Sequence, residues 1–395
     1  MEETTKAGGA GKALFLSTTA FAVSFAVWGL IAALAPTFTE LYKLSATEKS
    51  IMIAAPVLLG SLGRLPAGLL ADRYGGRLVF SALLIFSAVP AIAIALSTSF
   101  SQLLLFALLL GVAGTTFPVG VRFTSRWFAA EKQGTVLGVY GMGNIGQSFA
   151  VFFAPVLAIW FGDWRIAFYL FAAISLVWGI VFYLTAQNAP GAALETSLSE
   201  NLAVLKRSKI AWVLSLFYFL TFGGFVALAL YMPTLLRDTF SLSVTDAGAR
   251  TAGFVILATL MRPLGGMWAD KIGGAKVLVF VFAAIAVLAL LLSFDTIVLF
   301  TIGALGCAAA LGLGNGAVFK LVPQYFTKET GTVTGLVGAF GGLGGFFPPI
   351  ELGLINDAFG SYTLGFVLLS LFSIGCLAVN YFVFLRGGTA EGQAA

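Results

Sequence analysis

Apolar runs of bilayer length follow one another along the chain, separated by short polar connections. A helix needs about 20 apolar residues to cross the hydrocarbon. Twelve stretches approach that size: 13–36, 50–71, 77–97, 101–123, 134–158, 164–186, 209–232, 246–269, 276–294, 297–320, 331–354 and 362–385. The one long polar connection, 187–208, divides them six and six. The pattern predicts an all-α membrane protein of twelve transmembrane helices, with six-helix halves at 1–186 and 209–395 and a cytoplasmic linker at 187–208. The first apolar run is too long for a signal-peptide core and lacks a small-residue cleavage site, so it reads as a first span.

Composition narrows the class further. Of 395 residues, 59% are hydrophobic and 10% charged, against about 45–50% and about 25% in soluble domains. Such a chain cannot cover a soluble surface, which excludes a soluble enzyme and a disordered scaffold. No Lys/Arg run exceeds the pair Lys206–Arg207, which excludes a nucleic-acid binder. Fifteen of the 22 basic residues fall on one side of the predicted spans and five on the other. The positive-inside rule then places both termini in the cytoplasm, in a multi-pass protein of the plasma (inner) membrane whose surroundings are the lipid bilayer. There is no histidine, and Cys307 and Cys376 stand alone in apolar runs. His chemistry, a metal site and a disulfide framework are therefore excluded. No nucleophile, base and metal constellation supports an enzyme, no cofactor is implied, and the chain is expected to act as a monomer.

The halves repeat at an offset near 198. Arg64-Leu-Pro-Ala-Gly-Leu-Leu-Ala-Asp72 aligns with Arg262-Pro-Leu-Gly-Gly-Met-Trp-Ala-Asp270, and Gly134-Thr-Val-Leu-Gly-Val-Tyr-Gly141 with Gly331-Thr-Val-Thr-Gly-Leu-Val-Gly338. Related six-span halves place a substrate site where the halves meet, near the midplane. The segment Gly68-Leu-Leu-Ala-Asp72-Arg73-Tyr-Gly-Gly-Arg77 resembles the loop motif of the major facilitator superfamily, and Asp270-Lys271-Ile-Gly-Gly is its second-half copy. An Asp at a helix end can pair with basic residues and nearby helix termini, while glycines allow a sharp turn. The resemblance implies that this motif is a cytoplasmic gate latch.

Two basic residues remain inside spans, Arg64 and Arg262. Each precedes its Asp by eight residues, about 12 Å along a helix. An arginine at that depth is costly and by default functional, facing the bundle interior. No carboxylate lies at matching depth, so the pair calls for an anionic ligand, and planar forks suit a planar oxyanion. Glycine-rich segments occupy spans five (Gly138-Val-Tyr-Gly-Met-Gly143-Asn144-Ile-Gly-Gln147) and eleven (Gly335 to Pro349). The formal G-x-G-x-x-G of the first lies in a membrane span without a βαβ context, so a dinucleotide site is rejected. Helix packing through small residues explains most of these glycines. With the arginines, however, the segments closely resemble the signature segments of the nitrate/nitrite porter family. That resemblance implies nitrate or nitrite as substrate, Arg64 and Arg262 as clamps, and Asn144 as a polar contact. It also implies Phe117, Tyr218 and Phe222 as cavity residues, with Gly143 and Gly341 in the signatures. Gly341 aligns with Asn144, so the polar contact need not be duplicated.

Coupling is less legible. Glu351 is the acid that lies well within a predicted span, and it reads equally as a proton site or an interfacial residue. Arg122 and Lys320 correspond across the repeat near the cytoplasmic mouth, where they can attract anions, make closing contacts or simply follow the positive-inside rule. Two inward arginines without a proton carrier favour nitrate/nitrite exchange by alternating access. The short chain and central loop resemble family members assigned to nitrate/proton symport. A porter for another small anion is the remaining alternative.

Overall fold

The computed structural model describes residues 2–128, 133–189, 207–326 and 330–386. Among them every regular element is helical. The helices are α1 (Glu2–Trp28), α2 (Leu30–Ala33), α3 (Ala35–Tyr42), α4 (Ala46–Leu62), α5 (Arg64–Tyr74), α6 (Gly76–Ala95), α7 (Phe100–Leu110), α8 (Thr116–Ser125), α9 (Gln133–Gly141), α10 (Ile145–Phe161) and α11 (Arg165–Thr185). They continue as α12 (Lys209–Tyr218), α13 (Gly224–Phe240), α14 (Val244–Ile272), α15 (Gly274–Leu291), α16 (Ile297–Tyr325), α17 (Thr330–Leu343), α18 (Phe347–Phe359) and α19 (Thr363–Asn380). Large apolar side chains face outward throughout, with Trp160 77% and Phe280 70% exposed. That surface suits hydrocarbon, not water.

Among the described residues, ten helical stretches are long and apolar enough to cross a bilayer. The predicted stretches 50–71 and 331–354 are each built from two shorter helices. In the first, Pro66 removes the donor that the Leu62 carbonyl would take, and α4 passes to α5 at Gly63. In the second, the helix pauses between Leu343 and Phe347 at Gly344-Gly345-Phe346, ahead of Pro348 and Pro349. The structure thus supports ten spans, and twelve remains the expectation of the hydropathy pattern. Four other stretches among the described residues are irregular within the predicted spans: Gly111–Thr115 and Met142–Asn144 are single 3-10 turns, and Phe219–Gly223 and Tyr381–Leu385 are π turns.

The chain forms two compact units, Met1–Glu195 with Ala229–Ile256, and Thr196–Leu228 with Leu257–Ala395. The linker proposed at 187–208 falls mostly outside the described residues. The first unit takes in the segment 229–256 through specific contacts. Lys49 Nζ pairs with Asp238 at 2.6 Å, Ser50 Oγ donates to the Tyr231 hydroxyl at 2.9 Å, and Ser148 Oγ donates to the Ala252 carbonyl at 3.2 Å. Local starts follow ordinary capping chemistry: Ser45 and Glu48 form a reciprocal capping box on α4, and Ser208 caps α12. At the two repeat motifs Gly75 and Gly273 have φ of 83° and 91°, a conformation that side chains resist. The sharp turns read from the motif glycines are there.

Candidate functional site

In the first unit, the chain approaches itself closely around Arg64. Gly60 and Gly114 lie so near each other that a Cβ on Gly114 would sit 3.2 Å from the Gly60 Cα. This contact seats the helix that ends just before Arg64 against the 3-10 turn that leads into Phe117. Arg64 is 4% exposed, its Cζ stands 5.7 Å from the Phe117 ring centroid, and its Nε donates a long 3.4 Å bond to the Gly114 carbonyl. Phe117 packs with Phe21 at 5.4 Å and Tyr140 at 5.9 Å, and Phe21 stacks on Tyr140 at 5.0 Å. The Tyr140 hydroxyl donates to the Phe117 carbonyl at 3.1 Å. Gly143 completes this aromatic group: a Cβ there would overlap the Phe21 side chain, with Cβ and Cγ at 2.9 Å. Asn144 follows, fully buried at the end of its 3-10 turn. Its Nδ2 donates back to the Gly141 carbonyl at 2.8 Å, leaving Oδ1 without a partner among the described residues.

The second unit builds a different surround for Arg262. Helices α14 and α16 touch backbone to backbone, since Cβ atoms on Gly312 and Gly316 would overlap the carbonyls of Ala258 and Arg262. Arg262 is 6% exposed, and its Cζ lies 5.2 Å from the centroids of both Phe222 and Phe225. Each cation–π contact contributes about 0.5–2 kcal/mol, but the rings leave Nε and Nη2 without a partner among the described residues. No ion pair there includes Arg262 either. An arginine at a helix centre costs about 2.5–3.5 kcal/mol on insertion scales, and unmet charged donors add to that. The guanidinium is thus held in place by rings and open toward an acceptor.

Tyr218 and Phe222 stack almost parallel, 5.0 Å apart with 3° between planes, across the π turn 219–223. The i,i+4 pairing expected from sequence is present, although the turn is wider than an α-helix; π turns recur at functional positions. Phe319 closes edge-on against Tyr218 at 4.8 Å. Gly341 lies against this stack, where a Cβ would run into the Tyr218 ring and come within 3.1 Å of Phe222 Cδ1. The structure therefore gathers Arg64, Phe117, Gly143 and Asn144 around one aromatic group, and Arg262, Tyr218, Phe222 and Gly341 around another.

The motif residues divide. Gly68 lies in α5 with open space where a Cβ would be; the side chains of Asp72 and Arg73 lie outside the described residues. Arg77 Nε donates to the Tyr183 carbonyl at 2.7 Å with its Cζ 4.7 Å from the Tyr183 ring. That ties the turn to the end of α11. Asp270 pairs with Lys320 rather than with Lys271, which is exposed. Glu351 is half-buried in α18 and forms no ion pair among the described residues.

Several neighbours escaped the sequence reading. Phe225 continues the Tyr218–Phe222 stripe by one turn, and Phe21 begins an i,i+4,i+7 stripe with Phe25 and Trp28. Asn315 is 1% exposed with both amide atoms unpartnered among the described residues. Its signal was a lone carboxamide in an otherwise apolar, glycine-rich run.

Comparison with known proteins agrees with this architecture. The chain matches the Major Facilitator Superfamily model over residues 16–349 and 214–394. It is 41% identical over 358 residues to the "Nitrite extrusion protein" of Bacillus subtilis, covering 90% of both chains. It is 37% identical over 363 residues to the "Probable nitrate transporter NarT" of Staphylococcus epidermidis, covering 91% of this chain and 93% of that one. Identity to the "Probable nitrate/nitrite antiporter NarK1" of Thermus thermophilus is 35%, over 86% of this chain and 83% of that one. Among solved structures, a bacterial homolog of the human lysosomal transporter Spinster, inward-facing and unoccupied, superimposes with a TM-score of 0.72 at 18% identity. It covers 94% of this chain and 96% of its own, and the likeness concerns the fold.

Proposed function

From the premise that the chain belongs to the Major Facilitator Superfamily, within its nitrate/nitrite porters, we propose that it carries nitrate and nitrite across the plasma membrane as a monomer with both termini cytoplasmic. Arg64 and Arg262 bind the anion in this reading, with Asn144 and Tyr218 as hydrogen-bonding contacts and Phe117 and Phe222 as walls. The observation that carries it is Arg262: a guanidinium buried in a span, gripped by two phenyl faces, with in-plane donors unmet among the described residues. A planar oxyanion presents acceptors in the plane where the fork presents donors. The relatives' names supply nitrate and nitrite as the oxyanions.

Exchange follows from charge. The empty carrier must move two buried cations through its conformational cycle, each costing several kcal/mol away from a counter-ion. A bound monoanion cancels one of them, so the loaded form converts more readily, and net transport then requires an anion in each direction. The Asp270–Lys320 pair acts as a cytoplasmic latch in that cycle, as does the first-half motif Gly68, Asp72, Arg73 and Arg77. Proteoliposomes loaded with nitrite, or with no permeant anion, test the scheme when given external nitrate with and without a pH gradient. Uptake that needs internal nitrite and ignores the gradient is expected. Gradient-driven uptake into empty vesicles favours proton symport instead, with Glu351, half-buried and without an ion pair among the described residues, as its carrier. No uptake of either anion, with another small anion carried, overturns the substrate assignment.

A further inference from the structure

Asn315 stands in the run Gly312-Leu-Gly-Asn315-Gly316 of α16. It is 1% exposed, and neither its Nδ2 nor its Oδ1 has a partner among the described residues. Burying a carboxamide that way is unfavourable, and a leucine of similar size would fill the space without unmet polar atoms. A ligand that uses the amide would explain its presence.

The neighbours locate it. Leu311 and Phe319 lie one turn before and after it on the same helix face. Leu311 Cδ2 is 3.3 Å from where a Cβ on Gly224 would stand, and Phe319 packs on Tyr218. Asn315 therefore belongs to the stripe that faces the π turn between Tyr218 and Gly224. The preceding Gly314 lies against Thr221, whose Cγ2 would be 2.6 Å from its Cβ, and the following Gly316 lies against the Arg262 carbonyl. The stacked rings and the π turn flank this position, and the Arg262 backbone passes against the next residue.

The repeat gives an independent line. Gly60 and Gly114 correspond to Ala258 and Gly312, and both pairs are close contacts. Gly76 against Phe123 corresponds to Gly274 against Leu321, again a contact in both. The register is thus fixed on both sides, and Asn315 is the counterpart of Phe117, whose ring adjoins Arg64. The second half takes its rings from Phe222 and Phe225, which frees the position for a polar group. It also has Gly341 in place of Asn144, so it lacks a carboxamide on span eleven and carries one on span ten.

We propose that Asn315 is a direct contact of the transported anion, donating from Nδ2 beside Arg262; this rests on the nitrate reading above. The test uses the full-length protein in proteoliposomes, with nitrate uptake and Tm measured with and without nitrate. Asn315→Leu is expected to raise the nitrate KM about tenfold or more and to shrink the nitrate-dependent rise in Tm. Its Tm without nitrate should be equal or higher, because an unmet polar group has gone. Asn315→Asp, equal in volume but negative and lacking the donor, should lose more nitrate affinity than Asn315→Leu, and it provides the test should the leucine variant not fold. A wild-type nitrate KM in either folded variant overturns the proposal while the nitrate reading stands. Wild-type protein that neither takes up nor is stabilised by nitrate brings down both.

Discussion

The surrounds of Arg64 and Arg262 occupy equivalent places in the two sequence halves, yet they are furnished differently. Arg64 has the Phe117 ring beside it, a long bond to the Gly114 carbonyl, and a carboxamide on span five. Arg262 has two phenyl faces, a π turn, and a carboxamide on span ten. The scaffold contacts, by contrast, repeat closely: Gly60–Gly114 with Ala258–Gly312, and Gly76–Phe123 with Gly274–Leu321. Helix packing has kept its symmetry while the chemistry around each arginine has diverged.

The strongest way to break this comparison is to remove the forks. Arg262→Lys and Arg64→Lys keep the charge but lose paired planar donors. Each is expected to weaken nitrate binding about a hundredfold, equivalent to roughly 2–3 kcal/mol, read as nitrate KM in proteoliposomes. Arg262→Lys should be the more damaging, because a compact, strongly hydrated ammonium replaces a guanidinium packed between two rings. Near-wild-type KM in either variant would sink the clamp assignment, and equal losses would remove the asymmetry.

Next in size are the glycines beneath the aromatic groups. Gly341→Ala drives a methyl into the Tyr218–Phe222 stack, and Gly143→Ala drives one into Phe21. Overpacking of this kind costs about 1–3 kcal/mol. Both should lower Tm, but Gly341→Ala should also raise the nitrate KM severalfold, because one of the displaced rings, Phe222, lies against Arg262, the clamp of the proposed function. Gly143→Ala should act mainly on stability, since Phe21 stands behind Phe117. If the KM effects come out reversed, the rings of the first surround and not those of the second govern nitrate binding. A smaller effect is expected from Tyr218→Phe, which keeps the stack and removes the hydroxyl. A two- to tenfold rise in KM corresponds to about 0.5–1.5 kcal/mol for one hydrogen bond, and an unchanged KM removes the phenol from the list of contacts.

The fold was largely legible because bilayer length is a coarse, redundant signal spread over many residues. The arginines were equally plain, being the basic residues left inside apolar spans. The rest was hidden for identifiable reasons. Phe225 and Phe21 were lost among 38 phenylalanines, where periodicity alone cannot tell a wall from a core. Asn315 sits in a glycine-rich run that hydropathy reads as simple span. The pauses at Gly63 and at 344–346, which divide two predicted spans, arise from proline and glycine geometry that averaged hydropathy does not register. The motif partner was also unpredictable: Asp270 chose Lys320, fifty residues on, over its neighbour Lys271, a choice made by helix packing.

That last pair supplies the gentlest test. Asp270 and Lys320 are 58% and 44% exposed, and an exposed ion pair contributes only about 0–1 kcal/mol. Lys320→Ala should therefore leave Tm within about 1–2 °C for a protein of this size. In the first unit Lys49 is 5% exposed and bound to Asp238, so removing one partner there strands a buried charge. Asp238→Asn, which leaves the buried Lys49 ammonium without that partner, is accordingly expected to lower Tm beyond Lys320→Ala. A latch, however, acts on an equilibrium between conformers, where a fraction of a kcal/mol changes populations severalfold. Lys320→Ala should thus alter exchange rate at saturating nitrate while KM stays near wild type. A change confined to KM would instead make Lys320 an anion attractor at the mouth, which is the other reading its position allows.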